Sequence, residues 1–113
     1  MSRTGGFAES EQRRLDLHGA FIRRTNLRNT SLVRASFVHA DCTGADFSSA
    51  DLTDANFEGA NLTDAILRNA IMTRTNLKGA KLDGADLTGA INLTAQQLAT
   101  ASTSEATKLP DTA

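Results

Sequence analysis

The sequence predicts an all-β solenoid, a chain that turns once every five residues and stacks its turns around a narrow apolar axis. Three observations predict it. Between Leu15 and Gly89 the 113-residue chain divides into fifteen consecutive five-residue units without one insertion. The third position of every unit is apolar: Leu17, Ile22, Leu27, Leu32, Phe37, Cys42, Phe47, Leu52, Phe57, Leu62, Leu67, Met72, Leu77, Leu82 and Leu87. The first position is small, with Ala in 11 units, Thr at Thr25, Thr30 and Thr75, and a large side chain only at Leu15.

A period of five matches neither the 3.6-residue repeat of an amphipathic helix nor the two-residue alternation of a strand. The backbone must therefore bend once per unit. Residues at positions one and three point to the same side of a short extended segment, and four such segments close a coil. Inward side chains from four sides converge on an axis packed to near-crystalline density. Volume then selects Ala at the first position, and filling selects Leu or Phe at the third. Position two is Asp or Asn in nine of the fifteen units, short polar side chains that bond neighbouring backbone groups where the chain bends. Glycines recur at unit ends, where they serve turns.

The runs Ala45-Asp46-Phe47-Ser48-Ser49, Ala50-Asp51-Leu52-Thr53-Asp54, Ala55-Asn56-Phe57-Glu58-Gly59 and Ala60-Asn61-Leu62-Thr63-Asp64 resemble the A(D/N)LXX unit of pentapeptide repeat proteins. The resemblance covers 75 of 113 residues. It implies a right-handed, quadrilateral parallel β-helix with four units per coil. Fifteen units then form about four coils, a stack about 18 Å tall at the inter-strand spacing of ~4.8 Å.

The two ends depart from the repeat. Residues 1–14, where Gln12 occupies a slot that should be apolar, are expected to be a flexible N-terminal segment, although Phe7, Leu15 and Phe21 could close over the first coil. The β-helix is expected over 15–92, and residues 93–113 as a C-terminal capping helix and tail. In Leu93-Thr94-Ala95-Gln96-Gln97-Leu98-Ala99, Thr94 is placed to cap a helix with Gln97 three residues on. Burying Leu93 and Leu98 over the last coil would blunt an edge that otherwise invites stacking. Ala106-Thr107-Lys108-Leu109-Pro110 is similar to the close of many bacterial pentapeptide repeat proteins. Because that region often mediates dimerisation in the family, the resemblance implies a homodimer.

Composition removes several function classes. Leu, Ile, Val and Phe total 24 residues, near the level at which a chain struggles to bury enough apolar surface. The regular spacing of these residues answers that shortage. With no Trp or Tyr and only five Phe, an aromatic base-stacking platform or ligand cleft is poorly supplied. The single cysteine, Cys42, forms no intramolecular disulfide, and no apolar run approaches the length of a membrane span or signal sequence. The expectation is a cytoplasmic protein with no membrane contact and no cofactor. Cys42 and His39 are three residues apart, but the repeat turns the thiol inward and the imidazole outward, which does not make a nucleophile–base pair. His18 and His39 have no further ligands at metal-binding spacing.

Charge is segregated although the total is -1. Residues 13–34 sum to +5, 41–64 to -6 and 68–81 to +4. At a spacing of 20, Arg34, Asp54 and Arg74 align as a positive–negative–positive ladder. The outward second position is apolar or basic at Phe21, Ile66, Ile71 and Lys81, and Ile91 continues the slot. Ile71 and Ile91 fall on one face, with Ile66 one side away, as an exposed apolar patch or as residues covered by the C-terminal tail. The candidate partner surface is therefore Phe21, Arg23, Arg24, Arg28, Arg34, Ile66, Ile71 and Ile91. The functional expectation is a non-enzymatic, rigid binding or scaffold module with a protein partner whose identity the sequence does not specify. The alternatives are a DNA-mimic modulator of DNA gyrase of the quinolone-protection type, as the family resemblance suggests, and weak nucleic-acid binding through the Arg13–Arg34 cluster. Net charge and the short stack argue against the mimic, and the acidic belt argues against nucleic acid.

Overall fold

The computed structural model describes residues 14–111. Apart from Arg14, the expected flexible segment 1–14 lies outside the described residues, as do the closing role of Phe7 and the charge of Arg13. Within them the chain forms a four-sided parallel β-helix. Each second-position residue from Asp16 to Ile71 bridges to the residue twenty positions on, as in Asp16 with Ser36, Phe21 with Asp41, Asn26 with Asp46 and Ser31 with Asp51. These four pairs mark the first to fourth sides, and the ladder on the fourth side runs Ser31, Asp51, Ile71, Ile91.

One unit shows how the backbone is satisfied. In Ala55–Gly59, Asn56 N–H donates to Ala35 O of the preceding coil at 2.9 Å, while Phe57 and Gly59 donate to Asn76 O and Lys78 O of the following coil at 2.8 and 2.9 Å. Ala55 N–H closes the preceding turn onto Leu52 O at 2.9 Å. The remaining donor, Glu58 N–H, is taken by Asn56 Oδ1 at 3.0 Å. No backbone donor of the unit is left over, which is what a buried, tightly wound chain requires. The fifth position of all fifteen units has φ between 54° and 74°, and nine of those residues are not glycine. A left-handed residue before the hydrogen-bonded fourth corner is the requirement of a type II turn.

Inside, the third-position side chains from Leu32 to Leu87 are buried, most of them completely, together with every first-position alanine from Ala35 to Ala85. Leu17, Ile22 and Leu27 of the first coil are half-buried against this core. Phe37 and Phe57 stack on the first side with centroids 4.5 Å apart and planes 2° apart. Phe47 enters from the opposite side and meets both edge-on at 5.5 Å. Cys42 shares its coil with two of these rings, where its small volume fits.

At the C-terminal end the helix α1 (Ala95–Ala99) begins at Thr94 with a full capping box to Gln97. Leu93 and Leu98 pack against the core. Beyond α1 the chain does not trail away as a simple tail: Ser102 pairs with Lys81 and Lys108 with Asp86, at spacings of 21 and 22, adding an irregular fifth coil on the second and third sides. Gln97 pins this end. Its Nε2 donates to Met72 O at 2.8 Å and Thr75 O at 3.0 Å, and its Oε1 accepts Thr94 N–H at 2.7 Å.

Candidate interaction surface

The outside is built from positions two, four and five of each unit. At position two, Asp or Asn folds back on its own turn. Thr53 donates N–H and hydroxyl to Asp51 Oδ1 at 3.1 and 2.6 Å, and Thr63 does the same to Asn61 at 3.0 and 2.6 Å. These carboxyls and amides serve the turn rather than a ligand. Asp41 and Asp86 bind Thr43 and Thr88 in the same way.

Arginines at position four reach diagonally to the second position of the next coil, eighteen residues on. Arg23 lies 3.7 Å from Asp41, Arg28 3.2 Å from Asp46 and Arg68 3.1 Å from Asp86. Diagonal neighbours on a sheet face are within reach of long side chains. At the corner between the fourth and first sides, Arg74 forms a bidentate pair with Asp54 at 2.8 and 3.0 Å. Arg34, the third member of the expected ladder, adds its attraction to Asp54 through space. The carboxyls respond accordingly. Hydrogen bonds from Thr43 hold Asp41 below the ordinary carboxylate range. The Arg74 hydrogen bonds do the same for Asp54. Burial opposes ionisation of Asp46 and Asp86, but the donors of Ser48 with Arg28, and of Thr88 with Arg68, outweigh it.

Among the described residues reactive groups are not gathered. Burial, with the Asp41 charge beside it, pushes the Cys42 thiol up to about 12, so it is neither ionised nor reachable. The His18 and His39 rings meet edge-on at 6.0 Å. Among the described residues no three His, Cys, Asp or Glu side chains cluster as a metal site, and no helix is long and apolar enough to cross a membrane. An open groove of about 620 Å³ on the first two coils is lined by Arg14, Asp16, His18, Arg34 and Asp54, an alternation of opposite charges.

The eight candidate surface residues do not form one face. Phe21 and Arg23 lie on the second side, Arg24 at its corner and Arg28 on the adjoining third side, all on the first coil. Arg34 stands at a different corner. Ile66 is half-buried between Asp46 and Asp86, and Ile71 is half-buried between Asp51 and Ile91. The returning tail runs on the second and third sides, away from Ile71 and Ile91, and Ile91 stays 46% exposed. Phe21 is the most exposed of the apolar members, at 87%.

A twenty-residue coil with inward Ala and Leu, outward Asp or Asn, and a left-handed fifth residue is a narrow description. The family model for pentapeptide repeats matches residues 16–54 and 50–89, with eight copies. The chain belongs to the pentapeptide repeat family. Its fold is the right-handed quadrilateral β-helix of that family. This pentapeptide repeat protein is similar to one (Rfr23) from the cyanobacterium Cyanothece 51142, with 31% identity and a TM-score of 0.75. That match covers 83% of this chain and 63% of the other, so the chain spans less than two thirds of that protein's structure. A pentapeptide repeat protein of the Arabidopsis thaliana thylakoid lumen is 32% identical, with 82% of this chain and 78% of the other covered and a TM-score of 0.43. The plasmid-mediated fluoroquinolone resistance protein QnrB1 is 19% identical, covering 88% and 64%, with a TM-score of 0.25. Among curated proteins no sequence matches.

Proposed function

We propose that the protein is a non-enzymatic, rigid binding module that presents its outward positions to a protein partner in a reducing compartment such as the cytoplasm. The observation that carries this reading is how the chain's polar groups are used. Backbone donors are bonded coil to coil, the second-position carboxyls and amides bond their own turns, and the one thiol is buried. What is left to vary is the outer surface of a stiff stack, and function on a repeat scaffold resides there.

DNA mimicry asks for an open strip of negative charge along the rod. Asp41, Asp46, Asp54 and Asp86 are instead each paired with an arginine, which weighs against a gyrase-directed role. The test is an affinity capture at low and physiological salt with the wild type beside variants altered on one side at a time. A retained protein lost from variants of one side only supports the module and names its face. Partners that bind all variants equally would overturn it, and excess protein that inhibits gyrase supercoiling would favour the gyrase-directed role instead.

A further inference from the structure

We propose that Phe21, with Arg23, Arg24 and Arg28, forms a docking edge for an acidic polypeptide segment that carries an apolar side chain between carboxylates. This rests on the reading of the protein as a binding module and names the face and the partner's chemistry.

Phe21 occupies a slot whose usual Asp or Asn accepts a hydrogen bond from the residue two positions on. A hydrocarbon ring has no oxygen to offer Arg23 N–H, so the local turn loses that bond. Nor does burial compensate: Phe37, Phe47 and Phe57 are completely buried, whereas Phe21 is 87% exposed. A residue that breaks a local rule without a packing gain marks a functional position, and exposed aromatic and Arg side chains are the usual anchors of interfaces.

The surrounding charge selects the partner. Residues 14–34 carry five arginines against Asp16 alone. Arg28 donates to Asp46 at 3.2 Å and Arg23 lies 3.7 Å from Asp41, with their side chains 53% and 63% exposed. Each guanidinium thus keeps exposed donors for a carboxylate. A second copy is disfavoured as the occupant, because a two-fold contact would set these arginines against their own equivalents. A nucleic-acid duplex is disfavoured because residues 35–54 carry four aspartates and no Lys or Arg. A duplex, with a major groove alone ~12 Å wide, is broader than the ~4.8 Å step between coils and would lie against both. A short acidic segment can engage the first coil alone.

The test selects a random twelve-residue peptide library displayed on phage against the full chain. One enriched peptide is then synthesised, and its binding is measured to wild type, Phe21→Asn and a Thr63→Ser control on the same side. Phe21→Asn restores the regular unit without setting a second carboxylate opposite Asp41, so it should raise the melting temperature by about 2–12 °C while weakening binding at least tenfold. Enriched peptides should be acidic around an apolar residue, and their affinity should fall with added salt. Peptides that bind Phe21→Asn as well as wild type would overturn this edge but leave the module reading intact. Failure to enrich any peptide would count against both. A lower melting temperature for Phe21→Asn would show that the ring is covered within the chain, and loss of a wild-type dimer in sedimentation would assign it to a second copy. Either result refutes the proposal, as does tighter binding of duplex DNA than of the peptide.

Discussion

Replacing Phe47 with Ala tests the inward–outward assignment most directly. Phe47 is completely buried and meets the Phe37 and Phe57 rings edge-on at 5.5 Å. The walls of the void it would leave cannot collapse easily, since the coils above and below are fixed by hydrogen bonds such as Phe47 N–H to Ile66 O at 2.7 Å. The cost should therefore lie at the full large-to-small value of ~3–5 kcal/mol. Two edge-to-face contacts worth ~0.5–1.5 kcal/mol each fall within that figure. Against a native stability of ~5–15 kcal/mol the loss is severe, and at ~4–8 °C per kcal/mol the melting temperature should drop by at least ~12 °C. Phe21→Ala is the matched control, the same side chain removed from an exposed site, and should change stability by less than ~0.5 kcal/mol. Urea titrations followed by far-UV circular dichroism measure both. A loss below ~1.5 kcal/mol at Phe47, or equal losses at the two positions, would refute the reasoning.

Gln97→Ala should cost ~2–3 kcal/mol, from the capping box plus the two bonds to Met72 O and Thr75 O. The exposed neighbour change Gln96→Ala should be nearly silent in the same melts. Cys42, buried and with its thiol pushed up to about 12, should resist iodoacetamide at pH 8 until the protein is denatured, and rapid native labelling would contradict its placement. The carboxyls of Asp41, Asp46, Asp54 and Asp86 titrate below their ordinary value in the folded chain. Their contribution is present above the unfolded value of ~3.9 and is lost as pH falls through the folded values. The melting temperature should thus be insensitive to these groups from pH 8 to ~5 and decline below ~4; a decline already complete at pH 5 would be inconsistent with those shifts. Gly19 and Gly59 share a left-handed φ of +69° and +68°, but a Cβ at Gly19 meets nothing within 4 Å while one at Gly59 meets the His39 ring. Gly59→Ala should therefore destabilise more than Gly19→Ala, and His39→Ala should remove the difference in a double-mutant cycle.

The inside of this protein is written in its sequence because one geometric requirement is imposed fifteen times. Each unit must supply a small residue and a filling residue toward the same axis, so Ala55 and Phe57 are recognisable without coordinates. The cap was readable for the same kind of reason, since Thr94 and Gln97 stand at the spacing of a local hydrogen-bonded box. What escaped were contacts whose spacing follows from the stack rather than the unit. A twenty-residue coil suggests partners twenty apart, which finds Asp54 and Arg74. The pairs of Arg23, Arg28 and Arg68 run to i+18, because a long side chain leaving position four slants toward position two of the next coil. The return of the chain at Ser102 and Lys108 escaped because α1 lies between them and the last regular unit, which changes the spacing to 21 and 22. The amide of Gln97 was visible as a cap but not as the group that also binds two carbonyls of the stack.

The outer surface differs in kind. Phe21, Ile66, Ile71 and Lys81 all replace the usual acceptor at position two, and by sequence they are the same exception repeated. The ladder separates them. Ile66 and Ile71 sit between residues of the coils on either side and are half-buried, so their apolar surface contributes to the stack. Lys81 stands between Asn61 and Ser102, soluble and next to the returning chain. Phe21 has Asp41 as its bridging neighbour among the described residues, and its ring is 87% exposed. A substitution that forfeits a turn bond and also leaves an aromatic ring in water gains nothing for folding within the described fold. The proposed docking edge accounts for that exception by a contact outside the chain, and the arginines on the same coil give the proposed contact its sign.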